Sequence, residues 1–360
     1  MSSIIQNRTI NVITEIHHAW SELWWEFIMD NTDKYCDWKW ISKNPNITMK
    51  LINANPNKPW NWYWVSGNPT ITMEFINDNP KKHWNWSYIS QNPSITIKDI
   101  LDNPDKPWDW NMMSKNPNIT IEFINDNPRK PWNWYSISRN PTIIMKNIIY
   151  NSRGNWKVIS RNPNITMELI NAYCDKDWDW RYISENPNIT MEFINNNPDE
   201  DWDWYYISRN PIITIEDILN NPNNPWNWIG IAENPNITMS FILDNPDKPW
   251  VWSYISKNPN ITMKDINNNP NEDWHWYEIS KNPSITMKDI NENPEKPWNW
   301  FNIYRNTFTK DKEVFIDRMY REHIAAILIQ NAYKNAVVNE YCQIGKNRIE
   351  RDMEFAGIEM

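Results

Sequence analysis

Along most of the chain, apolar residues fall in two short clusters that alternate with polar, proline-punctuated stretches. From Asn68 the first cluster is Ile71, Met73, Phe75 and Ile76, and the second is Trp84, Trp86, Tyr88 and Ile89. Asn-Pro pairs at Asn68, Asn79 and Asn92 bound the clusters. Thr72 has the character of an N-cap, Met73-Glu74-Phe75-Ile76 that of a first helical turn, and Ile71 with Ile76 that of a hydrophobic staple. The second Asn-Pro ends this piece, because a residue before proline avoids the helical region. The next piece is predicted to open at a proline such as Pro249, in the first turn where its missing N–H costs nothing. It runs Trp250-Val251-Trp252-Ser253-Tyr254-Ile255-Ser256 to the next Asn-Pro. Each unit therefore predicts two short helices.

The opening asparagine recurs at Asn44, Asn68, Asn92, Asn116, Asn140, Asn162, Asn186, Asn210, Asn234, Asn258 and Asn282, every 24 residues except for one step of 22. A fixed period of this size means a solenoid. Both staple positions are Ile in all eleven copies, and the cap is Thr in every copy but one, where Ile144 stands. The third helical slot holds Phe75, Phe123, Phe193 and Phe241 in some copies and Asp99, Asp217, Asp265 and Asp289 in others. A slot that accepts both reads as at least half exposed, with the acids suited to the positive end of the helix dipole. The two Trp of each Trp-x-Trp lie about 200° apart on a helix, so one face cannot hold both. The second survives in damaged copies, as Trp38 and Trp156, where the first is lost. The second Trp is therefore expected in the core, and the first against a neighbouring repeat or at the surface. A β-solenoid is disfavoured by the helix caps, two prolines interrupting each turn and only 5 Gly.

The expected fold is all-α: an α-solenoid of eleven two-helix repeats of 24 residues, with helical caps at both ends. The boundaries are 1–43 for an N-terminal helical cap with a degenerate repeat, 44–305 for the Trp-rich solenoid, and 306–360 for a C-terminal helical cap. Residues 1–13 read as frayed, and Thr14–Met29 as a helix carrying Ile16, Trp20, Leu23, Trp24, Phe27 and Ile28. Counting back one period places Phe27, Ile28, Trp38, Ile41 and Ser42 on repeat positions, the mark of a capping terminal repeat. The tail predicts a helix from Asp311 to Val338 and a second, shorter one around Ile344, Ile349 and Met353. With helices stacked 8–10 Å apart, the array would extend over roughly 100 Å. The 22-residue copy from Asn140 to Arg161 lacks the first Trp and carries Gly154, so an irregularity is expected at residues 150–156.

Composition refines this picture. The 27 Trp, 26 Pro and 5 Gly are far from average usage, and every Pro occupies one of three repeat slots, which excludes a disordered chain despite a mean hydropathy of -0.79. The net charge of -9 is spread thinly, with 23 basic against 30 acidic residues in the repeats, and no polybasic stripe argues for nucleic acid as the main partner. Cys36, Cys174 and Cys342 are odd in number and far apart, which reads as reduced thiols in a cytoplasmic protein. Neither a secretory apolar run nor a membrane-spanning stretch is present, so Asn46-Ile47-Thr48 is turn chemistry and no membrane partner is expected.

Candidate chemistry is sparse. His17 and His18 point about 100° apart on a helix and are poor joint metal ligands. Ser66, Ser90 and their equivalents read as helix-end caps, since no His recurs beside them. Ile329-Gln330 with Lys334 matches half of a calmodulin-binding motif, but Asn335 and Asn339 stand where that motif has Gly and a basic residue. No catalytic group, metal or cofactor is predicted.

The frame Asn-Pro-x-Ile-Thr, an apolar pair, Asn-Pro-Asp/Asn and a short second helix resembles the leucine-rich-variant repeat of bacteria. That resemblance implies an α-helix and a 3₁₀-helix per repeat in a right-handed superhelix. The cysteines of that family's iron–sulfur segment are absent, so no cluster is implied. The repeat also looks like the tryptophan-rich Asn-Pro repeats of giant DNA viruses of the mimivirus kind, from residue 20 to 303. The tail from His323 through Gln330 to Arg348 looks like the ending of those viral proteins, and the heavy Asn and Ile usage fits an AT-rich genome. This resemblance implies an origin, in host cytoplasm or virion, and no activity.

A non-catalytic scaffold for an unidentified protein partner is the leading expectation. Variable slots just before Asn-Pro, at Gly67, Gln91, Lys115, Arg139, Glu185 and Glu233, would encode its specificity. The alternatives are a structural part of a virion, and a glycan- or single-stranded nucleic-acid-binding module. The latter would stack ligands on the first Trp of each pair: Trp84, Trp108, Trp132, Trp178, Trp202, Trp226, Trp250 and Trp274.

Overall fold

The computed structural model describes residues 2–34, 36–140, 143 and 155–355, with backbone alone for 2–11, 328, 331–342, 345, 346, 348–350 and 352–355. Every element among the described residues is a helix. The chain forms two compact units, Ser21–Asp311 and Met1–Trp20 with Lys312–Met360. The repeat unit is an all-α solenoid in which six-residue first helices such as Met73–Asp78 and Met263–Asn268 alternate with second helices of four to six residues, such as Trp86–Ser90 and Trp252–Ile255.

The first helices start where the cap signal lies. Thr72 Oγ1 accepts the Phe75 N–H at 3.3 Å. Where the third slot is Asp, the side chain returns to the cap and closes a capping box, as Asp265 Oδ2 does on the Thr262 N–H at 2.9 Å. Ile71 and Ile76 are buried together. The Phe-bearing slot is not half exposed as expected: Phe75, Phe123, Phe193 and Phe241 are 6–7% exposed. Phe75 stacks on Trp62 of the preceding repeat. The slot tolerates Asp because that side chain folds back on its own helix end and does not enter the inter-repeat space.

The second helices start later than the prolines suggest. Pro249 lies in the extended linker, and the helix opens at the second Trp. The cap is the residue between the two Trp: Asn85 Oδ1 accepts the Tyr88 N–H at 2.9 Å, and Asp109 Oδ1 the Met112 N–H at 3.0 Å. The first Trp therefore stands outside the helix, and a helical angle does not govern where it points. It packs against a neighbouring repeat, one of the two places expected for it, but it is the more buried of the pair, and the second Trp is not the core residue expected. Trp60, Trp108, Trp178, Trp202, Trp274 and Trp298 are buried, whereas Trp252 and most of its equivalents are half-buried. Trp250 shows the reason. Its Nε1 donates to the Asn245 carbonyl at 2.8 Å, and its ring meets Trp228 of the preceding repeat edge-on, with centroids 5.1 Å apart. A lysine of the same linker, such as Lys248, lies over Trp228.

Two polar ladders join the repeats. Each opening asparagine is buried, its Oδ1 turned to the backbone two residues on and its Nδ2 to carbonyls of the preceding copy. Asn258 Oδ1 accepts the Asn260 N–H at 2.8 Å, and Asn258 Nδ2 donates to Ala232 O at 2.8 Å and Asn234 O at 2.9 Å. Most second helices end in a serine that accepts an N–H from the next linker, as Ser256 Oγ does from His275 at 3.0 Å. It also donates back into its own helix, as Ser280 Oγ does to Trp276 O at 2.7 Å.

The asparagine ladder has no free end. Asn44 Nδ2 donates to Asn306 O and Tyr304 O, both at 3.1 Å, the same pair of bonds that Asn92 Nδ2 makes with Asn68 O and Ser66 O. Asn46 Nδ2 reaches Thr307 O at 3.1 Å, as Asn118 Nδ2 reaches Pro93 O. Asn306 and Thr307 thus stand in for the Asn-Pro that the degenerate first repeat lacks. That repeat takes Phe27 and Trp38–Lys43 from one end of the unit and its ladder turn from the other. Phe27 stacks on Trp300, centroids 6.4 Å apart, as Phe75 does on Trp62 at 6.5 Å. Phe308, fully buried at a positive φ of 50°, packs edge-on against Phe27. The expected open array over roughly 100 Å is replaced by a closed one. The twelve ladder asparagines from Asn44 to Asn306 share one circuit, about 30° of turn each.

Among the described residues the most extensive helix–helix contacts are between second helices, as between Trp204–Arg209 and Trp228–Glu233. A Cβ on Gly230 would lie 2.5 Å from Tyr205 O. In a closed array the elements nearest one another line the inner wall, so the second helices line it.

Both terminal helices exceed their expected bounds. Ser2–Asp30 is helical throughout, so residues 2–13 are not frayed in backbone, and Thr309–Phe355 is one helix of 47 residues where two were expected. Neither contains proline, and Gly345 costs only about 1 kcal/mol inside a helix, too little to break one. Residues 150–154 of the expected irregularity lie outside the described residues.

Candidate functional site

The side chains that recur every repeat are engaged in structure. The serines are not exposed nucleophiles: Ser66, Ser114, Ser184 and Ser280 are buried, each bonded to backbone on both sides. The eight tryptophans of the proposed stacking ladder sit edge-on against the second Trp of the preceding copy. Trp108, Trp178, Trp202 and Trp274 are buried there, and Trp84, Trp132, Trp226 and Trp250 half-buried. Each Nε1 donates to the carbonyl five residues before it. Where the cap between the Trp is Asp, as at Asp109, a hydrogen bond from Ser87 Oγ at 2.6 Å holds the carboxyl below its usual range.

The exposed face of the second helices has a charge of its own. From the second Trp to the residue before Asn-Pro, these segments hold eleven Lys and Arg against three Glu, a net +8 in a chain of net -9. Aromatic rings share this face: Tyr63, Tyr135 and Tyr277 are each more than 40% exposed. Capping carboxylates at Asp37, Asp109, Asp179 and Asp203 adjoin it.

Two sectors of the face differ in how their cations are held. Around Glu233, whose side chain is 10% exposed, Arg209 and Lys257 each form an ion pair at 3.3 Å. Tyr205 donates to the same carboxylate at 2.9 Å, and burial together with that bond pushes the Tyr205 phenol up. Lys281 pairs with Glu278 at 2.6 Å and Arg181 with Asp203 at 3.9 Å. Across the closing joint the cations rest on rings. Arg305 lies 4.0 Å over Trp40, Lys39 4.8 Å over Trp64 and Lys43 5.0 Å over Trp64. Among the described residues no carboxylate lies within ion-pair distance of these three.

The remaining sequence candidates stay apart. His17 is exposed and His18 half-buried, and no group of three or more metal-ligating side chains occurs among the described residues. Partial burial and the charge of Lys312 lower the His17 pKa. Ile329 and Gln330 are exposed on the last helix, Cys36 and Cys174 are free thiols, and burial pushes the Cys36 thiol up. No helix among the described residues is long and apolar enough to cross a membrane. The +5 position of this face, counted from the second Trp, is the variable slot before Asn-Pro, but its aromatic and remaining basic residues stand at +1 and +2, where no single copy shows a pattern. Tabulating those offsets would have exposed it. No family model, curated protein or solved structure matches the chain.

Proposed function

We propose that the protein is a non-catalytic scaffold that receives a protein partner on the exposed face of its second helices. The observation carrying this reading is the division of labour within the repeat. Recurrent Asn, Ser and Thr side chains bond repeat to repeat or cap helices, while the second helices present varied cationic residues and exposed tyrosines on one face. Repeat arrays offer partners such continuous surfaces. The resemblance to tryptophan-rich repeat proteins of giant viruses makes infected-cell cytoplasm or the virion the proposed setting.

The test is affinity capture with the intact chain and with two variants. Tyr135→Ser with Tyr277→Ser alters the second-helix face, and Lys264→Gln alters the first-helix face. Partners identified by mass spectrometry should be lost with the first variant and retained with the second. An unchanged set with Tyr135→Ser and Tyr277→Ser would sink the reading.

A further inference from the structure

The closing joint gathers more ring surface than its neighbours. Phe301, Trp40, Trp64 and Tyr88 come from four successive second helices and form an unbroken row, with centroids 5.9, 5.3 and 5.6 Å apart. Trp40, Trp64 and Tyr88 are half-buried, each tilted 34–38° to the next, and Tyr63 beside them is 48% exposed. Lys39, Lys43 and Arg305 lie over these rings. Asp37, the nearest carboxylate in sequence, is turned to the Lys39 backbone N–H at 3.0 Å.

We propose that this sector binds a single-stranded nucleic acid. Phosphates would take Lys39, Lys43 and Arg305, and bases would stack on the row from Trp40 to Tyr88. One ring per repeat offers one platform per base, the arrangement by which aromatic side chains hold single strands. Each lysine is a cation resting on a π face, so a base can replace it on the ring while the ammonium moves to a phosphate. The rings touch one another, so bases lie across the row and do not intercalate. An acidic peptide would satisfy the three cations but leave the row of flat faces without a counterpart, which is why the nucleic acid is preferred. The thin overall charge is no obstacle, because these three cations have no carboxylate within ion-pair distance among the described residues, whereas Arg209, Lys257 and Lys281 do. This sector lies on the second-helix face of the protein-partner reading, but the inference does not depend on that reading.

The experiment is fluorescence anisotropy of a labelled oligothymidylate of about twelve nucleotides, a span of several sites on such a surface, titrated with the intact chain over a range of salt. Saturable binding is expected, with log K falling against log salt at a slope of about -2, the value for three phosphates neutralised on a single strand. Lys43→Gln and Arg305→Gln should each reduce the slope by about 0.7. Trp64→Leu should weaken binding about tenfold without changing the slope, and Tyr63→Ala, at an exposed position that a folding defect would spare, should do so severalfold. Lys264→Gln on a first helix should change neither. The proposal is overturned by no binding at low salt, by ring variants that bind normally, or by polyglutamate of equal charge competing as well as the oligonucleotide. The last outcome would make the occupant an acidic peptide. A result either way leaves the protein-capture experiment to stand or fall by itself.

Discussion

Two joints of the array do the same work with different materials. Between the copies from Asn258 and Asn282, Asn282 Nδ2 bonds to Ser256 O and Asn258 O, Ser256 takes the His275 N–H, and Trp252 meets Trp274 edge-on. At the closing joint the asparagine bonds are kept, Phe27 stacks on Trp300 where the internal joint has Asp265, serine is replaced by Tyr304 and the first Trp by Cys36. Tyr304 is fully buried and sends its hydroxyl to Asn31 O at 2.8 Å, and burial pushes its phenol well up. The asparagine bonds are therefore the part the two joints share. The serine and first Trp are one of several ways to fill the remaining space. The closing joint also lacks a covalent link between its two sides, so it alone can come apart without the chain unfolding.

The largest expected effect separates those two properties. Phe27→Ala and Phe241→Ala should each cost about 3–5 kcal/mol, as buried Phe truncations do. Only Phe27→Ala should also raise the radius of gyration in small-angle scattering, by opening the circuit. Equal scattering curves for the two variants would mean the closure does not hold the array shut.

Next comes the ladder. Asn44→Ala and Asn258→Ala each leave two buried carbonyls without their donor, at about 1–3 kcal/mol. Matching losses in urea unfolding would show that the closing bonds equal the internal ones; a silent Asn44→Ala would show that they do not.

The serine slot can be restored where it is missing. Ala232 is fully buried there, and the cap it faces, Val251, carries no capping bond. Ala232→Ser should stabilise by about 0.5–1.5 kcal/mol, read as a raised melting temperature. A loss would mean the hydroxyl cannot reach the Val251 N–H.

The smallest effect concerns pH. A carboxyl held below its usual range stabilises the fold above the unfolded carboxylate pKa, and that stability is lost as pH falls through the folded pKa. Asp109 is such a group, through its bond from Ser87. Ser87→Ala should therefore narrow the stability difference between neutral and acid pH, while the closing joint, which has no such pair, keeps its acid response. Unchanged acid melts for Ser87→Ala would refute the assignment.

The chain's own pattern determined the period, the helical class, the Thr caps and the Ile staple, because these depend on contacts within a few residues. Asn/Asp between the two Trp is an equally local cap signal, and it, not the proline, sets where the second helix starts. Tertiary structure alone decided which Trp is buried, since the first Trp packs on a residue 22 positions earlier and bonds through a linker with no helical period. It also decided that the array closes. Small rotations at each joint accumulate, and no single repeat encodes their sum. The sequence shows a degenerate first copy and a stray Asn306 in register, 262 residues from Asn44; only folding brings the two ends together to complete one repeat.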